Sequence, residues 1–234
     1  MMLQVTDIQT FYGRSQVLFG VSLAVDAGEV ITVMGRNGMG KTTLVHSILG
    51  LTPPKSGSIR FEGLELTNQP SYVAARAGIA LVPEGRQIFP TLTVCENLIA
   101  TAANRSGAKN PWTLDRVFEM FPKLAERKQS YGKTLSGGEQ QMLAIGRALM
   151  TNAELLILDD ATEGLAPMVC SEIWNCIEQL KETGQAIFII DRNLRALMRI
   201  ADRHYIMEKG RFVWSGDSAA FAAEPELRQR YFGV

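Results

Sequence analysis

The stretch Gly35-Arg36-Asn37-Gly38-Met39-Gly40-Lys41-Thr42 fits the spacing GxxxxGK[ST], whose chemistry is phosphate binding. Its glycines let successive backbone N–H groups turn inward around phosphate oxygens. A helix beginning near Lys41 brings the positive end of its dipole to the same point. On this reading Gly35, Arg36, Asn37, Gly38, Met39 and Gly40 form the cradle, and Thr43 lies in the first helical turn. Lys41 reaches the β- and γ-phosphates of ATP, and the Thr42 hydroxyl reaches Mg²⁺. A carboxylate for the cation should stand at the end of a neighbouring strand, and Leu155-Leu156-Ile157-Leu158-Asp159-Asp160 supplies one. Asp159 is expected to hold Mg²⁺ through water, with Asp160 beside the attacking water.

A second phosphate-seeking element lies at Leu135-Ser136-Gly137-Gly138-Glu139-Gln140-Gln141. Ser136 and Glu139 have capping-box spacing, so a helix should start there. The adjacent glycines leave its first amides open to an anion. One molecule does not readily bring two such elements to one nucleotide. Two molecules arranged head to tail do, each offering its Ser136 end to the other's ATP.

These residues need a scaffold, and the hydrophobic pattern describes it. Strands are expected at Leu3–Ile8, Val17–Val25, Val30–Met34, Ser56–Phe61, Ile79–Val82, Leu155–Leu158 and Ala186–Ile190, the apolar ones being of the buried type. Helices follow Lys41 and run through Ile173, Ile177 and Leu180; a hairpin turns at Lys209-Gly210, and a last helix starts near Asp217. Residues from about Thr93 to Leu149 are mostly helical in pattern, interrupted by a polar loop at Gly107–Pro111. Strands alternating with helices argue for a mainly parallel α/β sheet, with the helical block inserted as a subdomain.

Composition sets limits. Lys+Arg and Asp+Glu balance at 24 each, without the basic excess of a nucleic-acid footprint. The longest apolar runs are far too short to span a bilayer, and no signal peptide is evident. A cytosolic protein is expected, attached to any membrane through a partner. Cys95, Cys170 and Cys176 form no CxxC pair and read as buried apolar thiols; His46 and His204 stand isolated from any second metal ligand.

Together Gly35–Thr42, Leu135–Gln141 and Leu155–Asp160 resemble an ABC-type ATPase domain over essentially the whole chain. The resemblance implies a single domain over 1–234: a P-loop NTPase core with an N-terminal antiparallel β part and a helical subdomain inserted at about 85–150. Val82-Pro83-Glu84-Gly85-Arg86-Gln87-Ile88-Phe89-Pro90, Glu96-Asn97-Leu98 and Glu163-Gly164-Leu165-Ala166-Pro167 are similar to one branch, the ATPases of branched-chain amino acid importers, and to the smaller of that branch's two ATPase subunits. Urea and short-chain amide importers have closely similar subunits. The implied partners are a second ATPase subunit (a copy or a relative), two membrane permease subunits and, through the complex, a periplasmic solute-binding protein, at the cytoplasmic face of the inner membrane.

The same resemblance gives Tyr12 an adenine-stacking role, against ordinary strand-end packing. It gives Glu84 contact with Mg²⁺ and the γ-phosphate, against a solvated loop charge. Phe89, Leu92, Phe118 and Phe121 divide between docking surface for the membrane subunit and helix-core packing. Three positions depart from the family pattern. Asp160 stands where a glutamate base is usual, Arg192 where a histidine is usual, and Ala166 near the place of an aspartate. An aspartate is one methylene shorter, so its carboxylate sits more than about 1 Å from the usual place unless the backbone shifts to accommodate it; misplacement on that scale costs on the order of 10²-fold in rate, which implies slow hydrolysis or the use of an extra water, against simple accommodation. Arg192 either donates to the γ-phosphate or pairs with Asp191 or Asp202.

Overall fold

The computed structural model describes residues 1–105 and 107–232. The chain opens with a hairpin, β1 (Leu3–Tyr12) and β2 (Ser15–Val25), followed by β3 (Val30–Met34) and α1 (Lys41–Ile48). Next come β4 (Ser56–Phe61), β5 (Leu64–Glu65), α2 (Ser71–Ala77) and β6 (Ile79–Val82). The helical stretch holds α3 (Val94–Ile99), α4 (Leu114–Met120), α5 (Pro122–Glu126) and α6 (Gly137–Leu149). The chain then runs through β7 (Leu155–Asp159), α7 (Pro167–Glu182), β8 (Ala186–Ile190) and α8 (Leu194–Ile200). It ends with β9 (Arg203–Glu208), β10 (Arg211–Gly216), α9 (Ser218–Ala222) and α10 (Pro225–Phe232).

Two sheets result. An antiparallel one has the order β2-β1-β4-β5; the other has the order β10-β9-β3-β8-β7-β6, parallel throughout except for β10 on β9. Strands β3, β7 and β8 are buried at every position, as a parallel sheet covered on both faces requires. Their side chains divide by parity. Leu156, Leu158, Ile187 and Ile189 join α3–α8 in one apolar core, whereas Leu155, Ile157, Phe188 and Ile190 join α1 and the antiparallel sheet in the other. Within the first core, Val94, Leu98, Val117 and Phe121 from the helical stretch pack with Leu143, Ile145 and Val82. The helical block therefore shares its core with the parallel sheet.

Four elements go beyond the sequence reading: β5, α2, α8 and α10. All have eight residues or fewer, and none carries a hydrophobic period long enough to separate helix from loop. The cysteines require a correction. Cys176 is buried, its thiol pushed up to about 12 by that burial, but Cys95 and Cys170 are only half-buried. Cys95 is on the short helix α3, and Cys170 near the start of α7, where its thiol lies 3.6 Å from the Thr162 and Leu165 carbonyls.

His204 is buried on β9, between β10 and β3 in the second sheet, and bonded on both ring nitrogens: Nδ1 to the Thr32 hydroxyl at 2.8 Å and Nε2 to the Ser218 hydroxyl at 2.7 Å. It thus ties β3 and β9 to the start of α9. Burial lowers its pKa from 6.5 to about 4. The unfolded chain takes up this proton near pH 6.5 and the folded chain only near pH 4, so stability is lost as pH falls between those values, by on the order of 2 kcal/mol from this group. Urea unfolding at pH 7 and pH 4 should therefore show a large wild-type advantage over His204→Gln at pH 7 that shrinks at pH 4. An advantage that stayed constant would show that this imidazole does not titrate on unfolding.

Candidate nucleotide site

Strands β3, β8, β7 and β6 lie side by side and parallel, so their C-terminal ends share one edge of the sheet. That edge delivers the Gly35–Gly40 loop after β3, Glu84 after β6, Asp159-Asp160 at the end of β7 and Asp191-Arg192 after β8. A cavity of about 320 Å³ opens there. Its wall is formed by Tyr12, Val17, Asn37, Gly38, Gly40, Lys41, Thr42, Thr43, Glu84, Asp160 and Arg192.

The loop's glycines answer different needs. Gly35 has φ +146°, and a Cβ there would sit 2.3 Å from the Met207 carbonyl oxygen of β9. Gly38 is left-handed at φ +74° with open space around it. Gly40, at φ +104°, is the N-cap of α1 and supplies no side-chain cap, so the first helical amides have no acceptor from it. The loop is pinned from behind: Gly210 N–H donates to the Met39 carbonyl at 2.9 Å, and Lys209 N–H to Met39 Sδ at 3.2 Å. Met39 therefore faces the β9–β10 turn. Arg36 lies against a neighbouring depression with Gly35, Asp191, Arg192 and Tyr231.

Lys41 is buried, and its Nζ donates to the Gly35 and Arg36 carbonyls at 3.0 and 3.1 Å. Burial lowers its pKa, opposed by the charges of Asp160 and Asp159. Asp159 is 2% exposed, and its Oδ1 has no hydrogen-bond partner. Burial raises its pKa, opposed by a hydrogen bond from the Thr42 hydroxyl, and the Glu84 charge raises it further. An orphaned carboxylate oxygen, a threonine hydroxyl and a second carboxylate near one another make an oxygen donor set suited to a hard divalent cation. The residues expected to hold Mg²⁺ fit that ion.

Asp160 has a left-handed backbone at φ +50°, which aspartate tolerates better than most residues. Its N–H donates to the Ile190 carbonyl of β8 at 2.8 Å. Its carboxyl is pushed up to about 6, chiefly by burial and against the pull of Lys41. Arg192 pairs with neither expected aspartate. Its Nη2 lies 2.6 Å from Glu163 Oε1, while Asp191 accepts from the Thr162 hydroxyl at 2.7 Å and Asp202 pairs with Lys181 at 2.6 Å. Both expected partners are engaged elsewhere. Glu163 enters the sequence reading only as part of the Glu163–Pro167 resemblance; its pairing with Arg192 is missed there, because an ion pair across 29 residues leaves no local pattern.

Ser136 is exposed and caps α6: it accepts from Glu139 N–H at 3.3 Å, and its own N–H donates to the Glu139 carboxylate at 2.7 Å. That carboxylate also lies 3.2 Å from Arg127 Nε. None of Ser136, Gly137, Gly138 or Glu139 borders the cavity. The two glycines meet different neighbours. Gly137 lies beneath the Arg86 guanidinium. Gly138 is buried against Val169 of α7, where a Cβ would stand 2.6 Å from Cγ1. Its role is close helix packing. Tyr12, at the end of β1, is half-exposed and faces the cavity beside Val17.

The family model described as ABC transporter matches residues 18–163. The high-affinity branched-chain amino acid transport ATP-binding protein BraG of Pseudomonas aeruginosa is 44% identical over 232 residues, covering 99% of this chain and all of that protein. The lipopolysaccharide export system ATP-binding protein LptB of Escherichia coli is 30% identical over 95% of this chain and 93% of its own length. The crystal structure of the ADP conformation of an ATP-binding cassette from an ABC transporter superposes with TM-score 0.83 at 27% identity, covering 100% of this chain and 99% of that one.

The glycine geometry separates two substitutions. Gly35→Ala should lower unfolding free energy by on the order of 3 kcal/mol, since strain and a clash with fixed backbone combine. Gly38→Ala meets no neighbour and should cost only about 1 kcal/mol. Equal losses in denaturant titration would show that the Met207 contact is not what fixes Gly35.

Proposed function

The chain belongs to the ABC transporter ATP-binding family, and on that premise we propose that it is the ATPase subunit driving an importer of branched-chain amino acids. ATP-hydrolysing transport ATPases are what this family comprises. The cargo assignment rests on the 44% match to BraG, well above the 30% match to a lipopolysaccharide exporter subunit, and on the Val82–Pro90 and Glu163–Pro167 sequences. The observation that carries the mechanism is the meeting of Lys41, Glu84, Asp160 and Arg192 in one cavity while the Ser136 helix start lies outside it. A nucleotide contacting both needs a second ATPase subunit to supply the Ser136–Glu139 element, in a dimer seated on two permease subunits. In that assembly the chain is peripheral, at the cytoplasmic face of the membrane; among the described residues no helix is long and apolar enough to cross one.

In this reading the Gly35–Gly40 amides and Thr43 hold the phosphates, and Tyr12 stacks on adenine beside Val17. Lys41 exchanges the Gly35 and Arg36 carbonyls for phosphate oxygens. Thr42, Asp159 and Glu84 would hold Mg²⁺, which when bound neutralises charge on the β- and γ-phosphates. Asp160 orients the attacking water and takes its proton. Arg192 sits over the cavity with Glu163 as its resting counter-ion, within reach of charge that develops on the γ-phosphoryl group.

The shorter base makes this a slow ATPase. The hydrogen bond from Asp160 N–H to Ile190 ties the backbone here to β8, which opposes a shift that would make up the missing methylene. Asp160→Glu should therefore raise turnover of the assembled transporter about tenfold or more; an unchanged rate would remove the claim that reach is limiting. Arg192→Ala should lower turnover with little change in ATP affinity, and an unchanged rate would reduce Arg192 to a surface ion pair. Reconstituted with its permease subunits and binding protein, the complex should take up leucine, isoleucine or valine in an ATP-dependent manner. Uptake of urea or a short-chain amide instead would overturn the cargo assignment.

A further inference from the structure

Between Glu84 and the helical block the chain does something costly. Gly85, Arg86 and Gln87 take left-handed φ values in succession, +76°, +68° and +44°. Glycine adopts this freely; arginine and glutamine do so only when their surroundings hold them. Within the loop, Gln87 N–H donates to the Gly85 carbonyl at 2.7 Å and Gln87 Nε2 to the Glu84 carbonyl at 3.4 Å; the groups that hold Arg86 and the Gln87 carbonyl from outside belong to α6. The Arg86 guanidinium lies over Gly137, with Nη1 and Nη2 each 3.0 Å from where a Cβ would be, and Nη1 is 3.5 Å from Gln140 Oε1. Gln140 in turn donates to the Gly132 and Leu135 carbonyls just before the helix. Farther along α6, Arg147 donates to the Gln87 carbonyl at 2.8 Å, and its guanidinium stands 4.8 Å from the Phe89 ring centre. The loop is thus fastened to the first turn and the last turn of one helix.

We infer that Arg86 is a positioning residue: it couples Glu84 at the cation side of the chain's own nucleotide to the Ser136–Gly138 helix start offered to the partner's nucleotide. The inference rests on the ATPase reading above and adds how the two half-sites inside one chain are linked. Gly137 is the seat that lets the guanidinium lie close on the helix, since a Cβ there would crowd Nη1 and Nη2 and displace them by a few tenths of an ångström. The position is also against the helix dipole, whose positive end repels a cation and rewards it only when an anion arrives. Movement of Glu84 toward a bound cation therefore pulls on the first turn of α6 through Arg86, while Arg147 holds the far end of the loop on that helix.

The test uses the whole transporter with its permeases, the isolated subunit for ATP binding, and the variants Arg86→Ala and Arg86→Lys. Arg86→Ala should lower kcat of the complex about tenfold or more, while the affinity of the isolated subunit for ATP stays within about twofold. Arg86→Lys keeps the charge without the planar fork, should fall in the same direction, and serves if the alanine variant does not fold. A merely structural role would lower ATP affinity and kcat together, and that result overturns the inference. So does a kcat within about twofold of wild type in both variants. A wild-type complex without ATP turnover would overturn the parent reading as well, so the two failures are distinguishable.

Discussion

A parallel strand buried on both faces has no place for a charge until it stops. Strands β3, β7 and β8 carry no charge before the final residue of β7, and Asp159, Asp191 and the loop leading to Lys41 all appear where the strands end. Because the strands are parallel and adjacent, all those ends fall on one edge. The clustering of opposite charges around the cavity follows from that constraint, and the two apolar cores follow from it too, since alternate residues of each strand must be covered on opposite sides.

The site is electrostatically unfinished. Lys41 is pulled down in pKa and Asp159 and Asp160 are pushed up, each mainly by burial, so all three carry desolvation that their mutual attraction does not fully offset. Asp159 Oδ1 has no donor, and Lys41 makes do with two carbonyls. A polyanion with a divalent cation satisfies both shortfalls together, which neither achieves alone. Groups that are costly to bury alone are those that a ligand of opposite charge stabilises most.

Much of this was legible in the sequence because it is local. The phosphate loop, the Ser136–Glu139 capping box and the Asp-Asp after a four-residue apolar run are each defined within eight residues. The all-apolar strands announced a parallel sheet before any coordinates. What escaped was non-local or short. The Glu163–Arg192 pair and the seat of Arg86 on Gly137 span 29 and 51 residues, and no periodicity points to either. Gly138, read as part of an anion site, also clears the way for Val169, a packing need that a glycine in a sequence does not reveal. The helices α2, α8 and α10 escaped by length alone.

The capping box at Ser136 has a chemical consequence of its own. The hydroxyl oxygen already receives the Glu139 amide, and the serine amide is already given to the Glu139 carboxylate. What Ser136 retains is its hydroxyl hydrogen and one further lone pair on the same oxygen. The hydrogen is joined by the glycine amides that follow at the positive end of the helix dipole, so donors outnumber acceptors there and this end of the helix favours visitors rich in electron pairs. The direction of hydrogen bonding thus adds to shape and charge in the choice among visitors.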